Sequence, residues 1–263
     1  MKFFQKFSTI NTFLSVSALD AVLISTCWHL YLCTELGSEL QVIHFLILGI
    51  SIWLGYMLDR LLDSRTLEQE TIQTHRHRFA KAHSMRLWKL WLCLLLLDIA
   101  LSLLFLNTQE IFTGLKLIAF VLMYTLGNQC FFRKYFPKEL FVSILYAYGV
   151  LFLINPLLLQ KELYLLASLC LFNCLLISKK EASIDKRAQR QSIGTMITDS
   201  QLQIGLLLIS LIYISLSLQW TIYLAMSLSL LILTLFKDRL NRESYRSLIE
   251  TIFFIYPLLF LLF

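Results

Sequence analysis

One stretch decides the fold: Gly55-Tyr56-Met57-Leu58-Asp59-Arg60-Leu61-Leu62-Asp63, which ends a long apolar segment and opens a polar loop. Asp59 and Asp63 are four residues apart. If the helix continues this far, both carboxylates lie on one face, about one turn apart. Carboxylates this close repel each other unless a positive group lies between them. A second pair with the same spacing, Glu181 and Asp185, ends another apolar segment, and we interpret the two pairs as facing halves of one site.

The composition is typical of a helical membrane protein. The chain has 263 residues, of which 58% are hydrophobic, and its mean hydropathy is +0.71. Apolar segments near the ~20 residues needed to cross a bilayer recur along it. Only three prolines and eight glycines punctuate the sequence. We therefore expect an all-α membrane protein and locate the breaks between its helices from the charged residues.

Nine apolar segments are expected to form about nine transmembrane helices in one bundle. Their predicted bounds are 8–32, 40–58, 87–106, 111–129, 140–159, 163–178, 202–218, 221–236 and 248–263. The acidic stretches 55–63 and 178–185 end the second and sixth segments, one unit of four helices apart. This spacing predicts two four-helix halves plus a terminal helix, within one integral membrane domain over residues 1–263.

The positive charges predict the orientation in the membrane. Every Lys and Arg except Lys116 and Lys161 falls at the N-terminus or in the loops after segments two, four, six and eight. Because positive loops remain in the cytoplasm, the N-terminus and both acidic stretches are predicted to be cytoplasmic and the C-terminus to lie on the opposite side. The net charge of +6 is thus assigned to topology, and no nucleic-acid partner is expected.

The chemistry of the acidic stretches favours a magnesium ion and a phosphate group. Asp and Glu oxygens suit Mg²⁺, which bridges to substrate phosphates. The loop after the second segment carries His75, Arg76, His77, Arg78, Lys81 and His83. It is interpreted either as a phosphate-binding loop or as a loop facing anionic lipid headgroups. A metal site at its histidines is disfavoured by the surrounding Arg and Lys.

These residues resemble the intramembrane aromatic prenyltransferases of the UbiA-type superfamily. The first motif of that family reads N-D-x-x-D-R-x-x-D in many members; here Asp59, Arg60 and Asp63 match, whereas Gly55 and Tyr56 replace Asn-Asp. The second commonly reads D-x-x-D-x-x-x-D; here Glu181 and Asp185 match in charge and Ser178 replaces the first Asp. A family Y-x-x-x-K pattern is represented by Tyr124, with Asn128 in place of Lys. The match to the motifs covers about a dozen residues, and the match in helix count covers the whole chain.

The resemblance implies a divergent member that transfers an isoprenyl group from a prenyl diphosphate to an aromatic or lipid acceptor, with Mg²⁺ as cofactor. The implied metal ligands and catalytic residues are Asp59, Asp63, Glu181 and Asp185. The implied diphosphate-binding residues are Arg60, Arg76, Arg78, Lys180, Lys186, Tyr124 and Asn128. The implied partners are the prenyl diphosphate, a hydrophobic acceptor and the lipid bilayer.

Two alternatives stay open at the level of sequence. The replaced motif positions suit a catalytically degenerate protein that uses the fold as a scaffold or to bind lipid. Asp20 and Asp98, which fall inside apolar segments, suit a small-molecule transporter or simple interhelical hydrogen bonds. A pair between Asp98 and Lys116 on adjacent segments is also conceivable.

Overall fold

The computed structural model describes residues 13–66, 75–130, 138–154, 160–187, 192–215 and 221–262. Within these ranges the chain is helical apart from short turns, and it contains no β-strand. The predicted all-α class is therefore confirmed for the described part of the chain.

The chain divides into two compact units, Met1–Thr125 and Leu126–Phe263. The helices that begin in the first unit are α1 (Leu19–Glu35), α2 (Val42–Thr66), α3 (His75–Ala82), α4 (Ser84–Phe105) and α5 (Thr108–Cys130). Those of the second are α6 (Lys138–Leu151), α7 (Gln160–Arg187), α8 (Ile193–Met196), α9 (Asp199–Ser215), α10 (Thr221–Leu235) and α11 (Arg242–Leu262). The predicted single domain over the whole chain stays a prediction.

Each of the nine predicted apolar segments overlaps a helix in the part of the chain that the structure describes. The predicted stretches 8–12, 155–159 and 216–218 lie outside the described residues. By length and apolar composition, five stretches can cross a membrane: Val42–Arg65, Ser84–Phe105, Thr108–Gly127, Lys161–Ser183 and Arg242–Leu262. The apolar helices Asp199–Ser215 and Ile222–Leu235 are shorter. The total of nine crossings therefore stays a prediction.

Two helices extend well beyond their predicted ends. Helix α2 continues from Leu58 to Thr66, and α7 continues from Ser178 to Arg187. Hydropathy marks where the apolar face stops, whereas Arg, Lys, Glu and Leu are all good helix formers and carry the backbone hydrogen bonding further. Both acidic motifs therefore lie inside helices.

The first predicted segment, 8–32, is not one continuous helix, so this part of the prediction is wrong. Residues 13–17 are helical, Ala18 adopts a left-handed conformation with φ 62°, and α1 begins at Leu19. A left-handed backbone costs a non-glycine residue about 1–2 kcal/mol. A hydrogen bond from α2 offsets part of this cost, since the indole of Trp53 donates to the Ser17 carbonyl over 2.9 Å.

Helix α2 is the centre of the first unit and contacts α1, α3 and α4. Its buried residues Trp53, Leu54, Met57 and Leu61 form the core together with Ala18, Ala80 and Leu87. Ala80 belongs to the short helix α3, which the sequence did not predict. Because α3 packs on α2, the imidazole of His77 on α3 lies beside Asp63 of the first acidic motif.

Helix α7 has the same central position in the second unit, where it contacts α6, α8, α9, α10 and α11. Small polar side chains join the apolar helices: Ser168 and Tyr213 hydroxyls lie 2.6 Å apart, and Ser210 donates to Ser227 over 2.8 Å. Such bonds suit helices in an apolar solvent, where hydrophobic burial does not drive association. The short helix α8, also unpredicted, packs on α7 as α3 packs on α2.

Candidate functional site

The first acidic motif lies on an unbroken turn of α2, as predicted, but its two carboxylates have different surroundings. Asp59 is exposed, whereas Asp63 is buried at 7% exposure. Asp63 Oδ2 lies 3.6 Å from Nε2 of His77 on α3. The imidazole of His77 therefore lies beside the buried carboxylate, and α3 is the element that brings it there.

Arg60 has a structural role that the sequence did not reveal. Its side chain is buried, and Nη1 donates hydrogen bonds to the carbonyls of Ser15 (2.7 Å) and Val16 (2.9 Å). These carbonyls end the helical turn before the break at Ala18, so they lack a continuing helix to bond them. Arg60 caps this turn; its implied contact with a diphosphate stays a prediction.

The two positions that depart from the family's first motif have different surroundings. A Cβ atom added to Gly55 would meet no atom within 4 Å. Tyr56, by contrast, packs partly buried against the core around α2. The structure therefore has room for a side chain at position 55, whereas position 56 belongs to the apolar packing.

Four further residues that were expected to bind the diphosphate lie on two other helices. Arg76 is partly buried and Arg78 is exposed, both on α3. Tyr124 is partly buried on α5. Asn128 lies on the same helix, but its side chain is outside the described residues. Binding of a diphosphate by these four residues stays a prediction.

The second acidic motif lies on α7, and its first position is occupied by a packing contact. Ser178 is buried, and its hydroxyl donates a 2.8 Å hydrogen bond to Oε1 of Glu139 on α6. A Cβ on Gly194 of α8 would lie 2.4 Å from Ser178 Oγ and 2.5 Å from the Lys179 amide nitrogen. Close backbone approach therefore leaves no space at Ser178 for the carboxylate that the family carries there.

Glu139 was missed by the sequence analysis. It is 2% exposed, and its Oε2 atom has no hydrogen-bond partner among the described residues. It directly follows Lys138 at the start of a predicted segment, where an acidic residue is common at a helix N-terminus. No feature of the linear sequence points to its contact with Ser178.

Glu181 is held by an arginine that the sequence analysis did not single out. Its Oε1 lies 3.9 Å from Nη1 of Arg246 on α11. The Nε of the same guanidinium donates a 2.6 Å hydrogen bond to Oε1 of Glu250, one turn along α11. The three side chains are 14–22% exposed. They form a largely enclosed acid–base–acid cluster.

Lys179 and Lys180 also have structural partners. Lys179 Nζ donates to the carbonyl of Ile197, which caps α8. Lys180 Nζ donates to the carbonyl of Lys237 and lies 5.7 Å from the ring centroid of Tyr245. Both lysines thus act on carbonyls near helix ends, and diphosphate binding by Lys180 stays a prediction. Asp185 and Lys186 lie on α7, with side chains outside the described residues.

The predicted magnesium ion requires oxygen donors that lie close together. In the described ranges, no three His, Cys, Asp or Glu side chains come together in a way that could hold one ion. Asp59 and Asp63 provide two carboxylates one turn apart, which fits the one or two protein ligands that Mg²⁺ typically takes beside substrate phosphates. Magnesium binding, and the facing of the two acidic pairs, stay predictions.

The charged residues inside apolar segments have local partners. Asp98 is buried, and its Oδ2 accepts a 2.7 Å hydrogen bond from Ser51. Lys116 is exposed, with Nζ 4.7 Å from the ring centroid of Phe112, so the conceivable pair with Asp98 is wrong. Asp20, expected near mid-helix, lies in the first turn of α1 because of the break, and its Oδ1 accepts from the Ala21 amide at 2.8 Å.

The architecture is similar to that of a solved protein, the apo structure of a UbiA homolog from Aeropyrum pernix K1. The similarity covers 91% of this chain and 97% of that chain, with a TM-score of 0.61 and 11% sequence identity. No protein-family model matches the sequence, and no curated protein sequence matches it. At this identity the similarity establishes the fold alone.

The chain therefore has the UbiA-type fold, which the two acidic stretches indicated. With five described helices long and apolar enough to cross a membrane, it is an integral, multi-pass membrane protein.

Proposed function

We propose that this protein binds a prenyl diphosphate with Mg²⁺ at Asp59 and Asp63 and transfers the isoprenyl group to a hydrophobic aromatic or lipid acceptor. The observation that carries the proposal is the first acidic motif: two carboxylates one turn apart on α2, inside a UbiA-type fold. The cytoplasmic location of this motif belongs to the same proposal.

The chemistry of the transfer divides between the ion and the protein. A bound Mg²⁺ would supply positive charge to stabilise the departing diphosphate. Asp59, which is exposed, and Asp63, which is buried beside His77, would present carboxylate oxygens to the ion. The apolar helices would exclude water while the allylic carbon has cation character. The C–O bond to diphosphate breaks, a bond to the acceptor forms, and the acceptor loses a proton.

The test is release of diphosphate from labelled prenyl diphosphates of several chain lengths by the purified chain in lipid nanodiscs. We expect release that requires Mg²⁺ and that falls roughly 100-fold or more in Asp59→Asn, because charge stabilisation of this kind contributes that much. Glu39→Gln is the matched control, since Glu39 is an exposed carboxylate outside the motif. No release at any chain length, with or without candidate acceptors, contradicts the proposal.

A second candidate function is binding of a prenyl diphosphate or lipid without transfer. It is favoured by the contacts of the second motif. The Ser178 hydroxyl is hydrogen-bonded to Glu139, and Glu181 forms an ion pair with Arg246. Binding of a prenyl diphosphate in equilibrium dialysis, with no diphosphate released, identifies this case. The Asp59→Asn variant then weakens binding instead of turnover.

A further inference from the structure

The guanidinium of Arg246 lies between two carboxylates of the second unit. Nη1 lies 3.9 Å from Glu181, and Nε donates a 2.6 Å hydrogen bond to Glu250. The Arg246 side chain is only 14% exposed. A guanidinium is always charged and offers several donors in a rigid fork, so it can bind two acceptors at once as a metal ion does.

Among the described residues, Glu181 belongs to no group of three His, Cys, Asp or Glu side chains that could hold a metal ion. Ser178, one turn before Glu181 on α7, donates to Glu139 and is covered by Gly194. Throughout the described residues no group of three potential ligands is found. A divalent cation placed at Glu181 would also be repelled by the adjacent charge of Arg246 in a largely enclosed setting. The described residues around Glu181 therefore do not fit a metal ion while Arg246 is in place.

We propose that Arg246 replaces a divalent cation in the second acidic motif, with Glu181 as its partner and not as a metal ligand. Arg246 is then a positioning residue that neutralises Glu181 and Glu250 and joins α7 to α11. The inference deepens the proposed function and rests on it only for the role of the first motif. Of the three motif carboxylates that the structure describes, it assigns divalent-ion binding to Asp59 and Asp63 and not to Glu181.

The experiment uses Mn²⁺ as the probe, without substrate, on the full chain in nanodiscs. Bound Mn²⁺ is counted by electron paramagnetic resonance for wild type, Glu181→Gln and Asp59→Asn. We expect Glu181→Gln to retain the wild-type number of bound ions and the wild-type affinity. Loss of a bound ion in Glu181→Gln overturns the inference, because it makes Glu181 a ligand.

A second variant tests the role of Arg246 directly. Arg246→Met leaves Glu181 and Glu250 without their cation, so we expect the melting temperature to fall by roughly 5–10 °C. Mn²⁺ should restore part of this loss, and the double variant Glu181→Gln/Arg246→Met should not respond to Mn²⁺. Arg239→Met is the control, because Arg239 is exposed and its guanidinium lies 5.9 Å from the ring centroid of Phe236. A wild-type melting temperature for Arg246→Met overturns the inference; if that variant does not fold, the Glu181→Gln count decides.

The two proposals fail separately. Absence of diphosphate release contradicts prenyl transfer but leaves the Glu181→Gln metal count unaffected. Conversely, an active enzyme that loses a bound Mn²⁺ ion in Glu181→Gln retains its proposed function and refutes the replacement of metal by Arg246.

Discussion

The hydroxyl of Ser178 donates a 2.8 Å hydrogen bond to Oε1 of Glu139, a carboxylate that is 2% exposed. This bond joins α6 to α7 at the position where the family motif carries an aspartate. Ser178 is therefore in contact with an acidic residue 39 positions earlier in the chain, and a carboxylate at both positions would place two negative charges in contact.

Restoring the family residue at position 178 is expected to damage the protein. Ser178→Asp brings a carboxylate against buried Glu139 and against Gly194, and we expect a loss of about 2–4 kcal/mol in the free energy of unfolding, as for buried unpaired charges. Thermal unfolding of the purified protein measures it. Ser183→Asp is the matched control on an exposed turn of the same helix. Equal stability of the two variants would contradict the packing at Ser178.

Two glycines are expected to respond in opposite ways to alanine. Gly194→Ala places Cβ 2.4 Å from Ser178 Oγ and 2.5 Å from a backbone nitrogen, so overpacking should cost about 1–3 kcal/mol. Gly55→Ala meets no atom within 4 Å and should stabilise α2 by about 0.5–1 kcal/mol through helix propensity. Thermal unfolding compares the pair, and a more stable Gly194→Ala would refute the close approach of α8.

Arg60 is expected to stabilise the protein in the absence of substrate. Arg60→Met removes donors from the Ser15 and Val16 carbonyls, which should cost about 1–3 kcal/mol. The measurement is thermal unfolding of the substrate-free protein. Arg78→Met, at an exposed position on α3, serves as control. Unchanged stability in Arg60→Met would assign Arg60 to substrate binding alone.

Asp98 and Ser51 are expected to be energetically coupled. Their 2.7 Å hydrogen bond links α2 and α4 inside the apolar part of the unit. A double-mutant cycle with Ser51→Ala and Asp98→Asn should give a coupling of about 0.5–1.5 kcal/mol, the range found for polar pairs between membrane helices. Strictly additive effects on unfolding would show that the bond contributes nothing.

Much of the architecture is predictable from sequence because each membrane helix satisfies its own backbone and presents apolar side chains over a fixed length. For this reason each of the nine apolar segments overlaps a described helix, although the first is broken at Ala18. The UbiA-type resemblance of Asp59, Arg60 and Asp63 agrees with the fold. The ends of α2 and α7 were placed too early because helix formation does not stop where hydropathy does. The short helices α3 and α8 were missed because their residues are stabilised by packing on a neighbour and have little apolar periodicity of their own.

The sequence by itself determined the class of the protein: an all-α membrane chain with two acidic motifs one repeat apart, since both depend on local composition and spacing. Only the tertiary structure decided what the motif residues touch. It brings Asp63 to His77, Arg60 to the carbonyls before Ala18, and Ser178 to Glu139. It also brings Glu181 to Arg246 on α11. Partners 14 to 65 residues apart in the chain are set by helix packing, which depends on side-chain shape across the unit and not on local pattern.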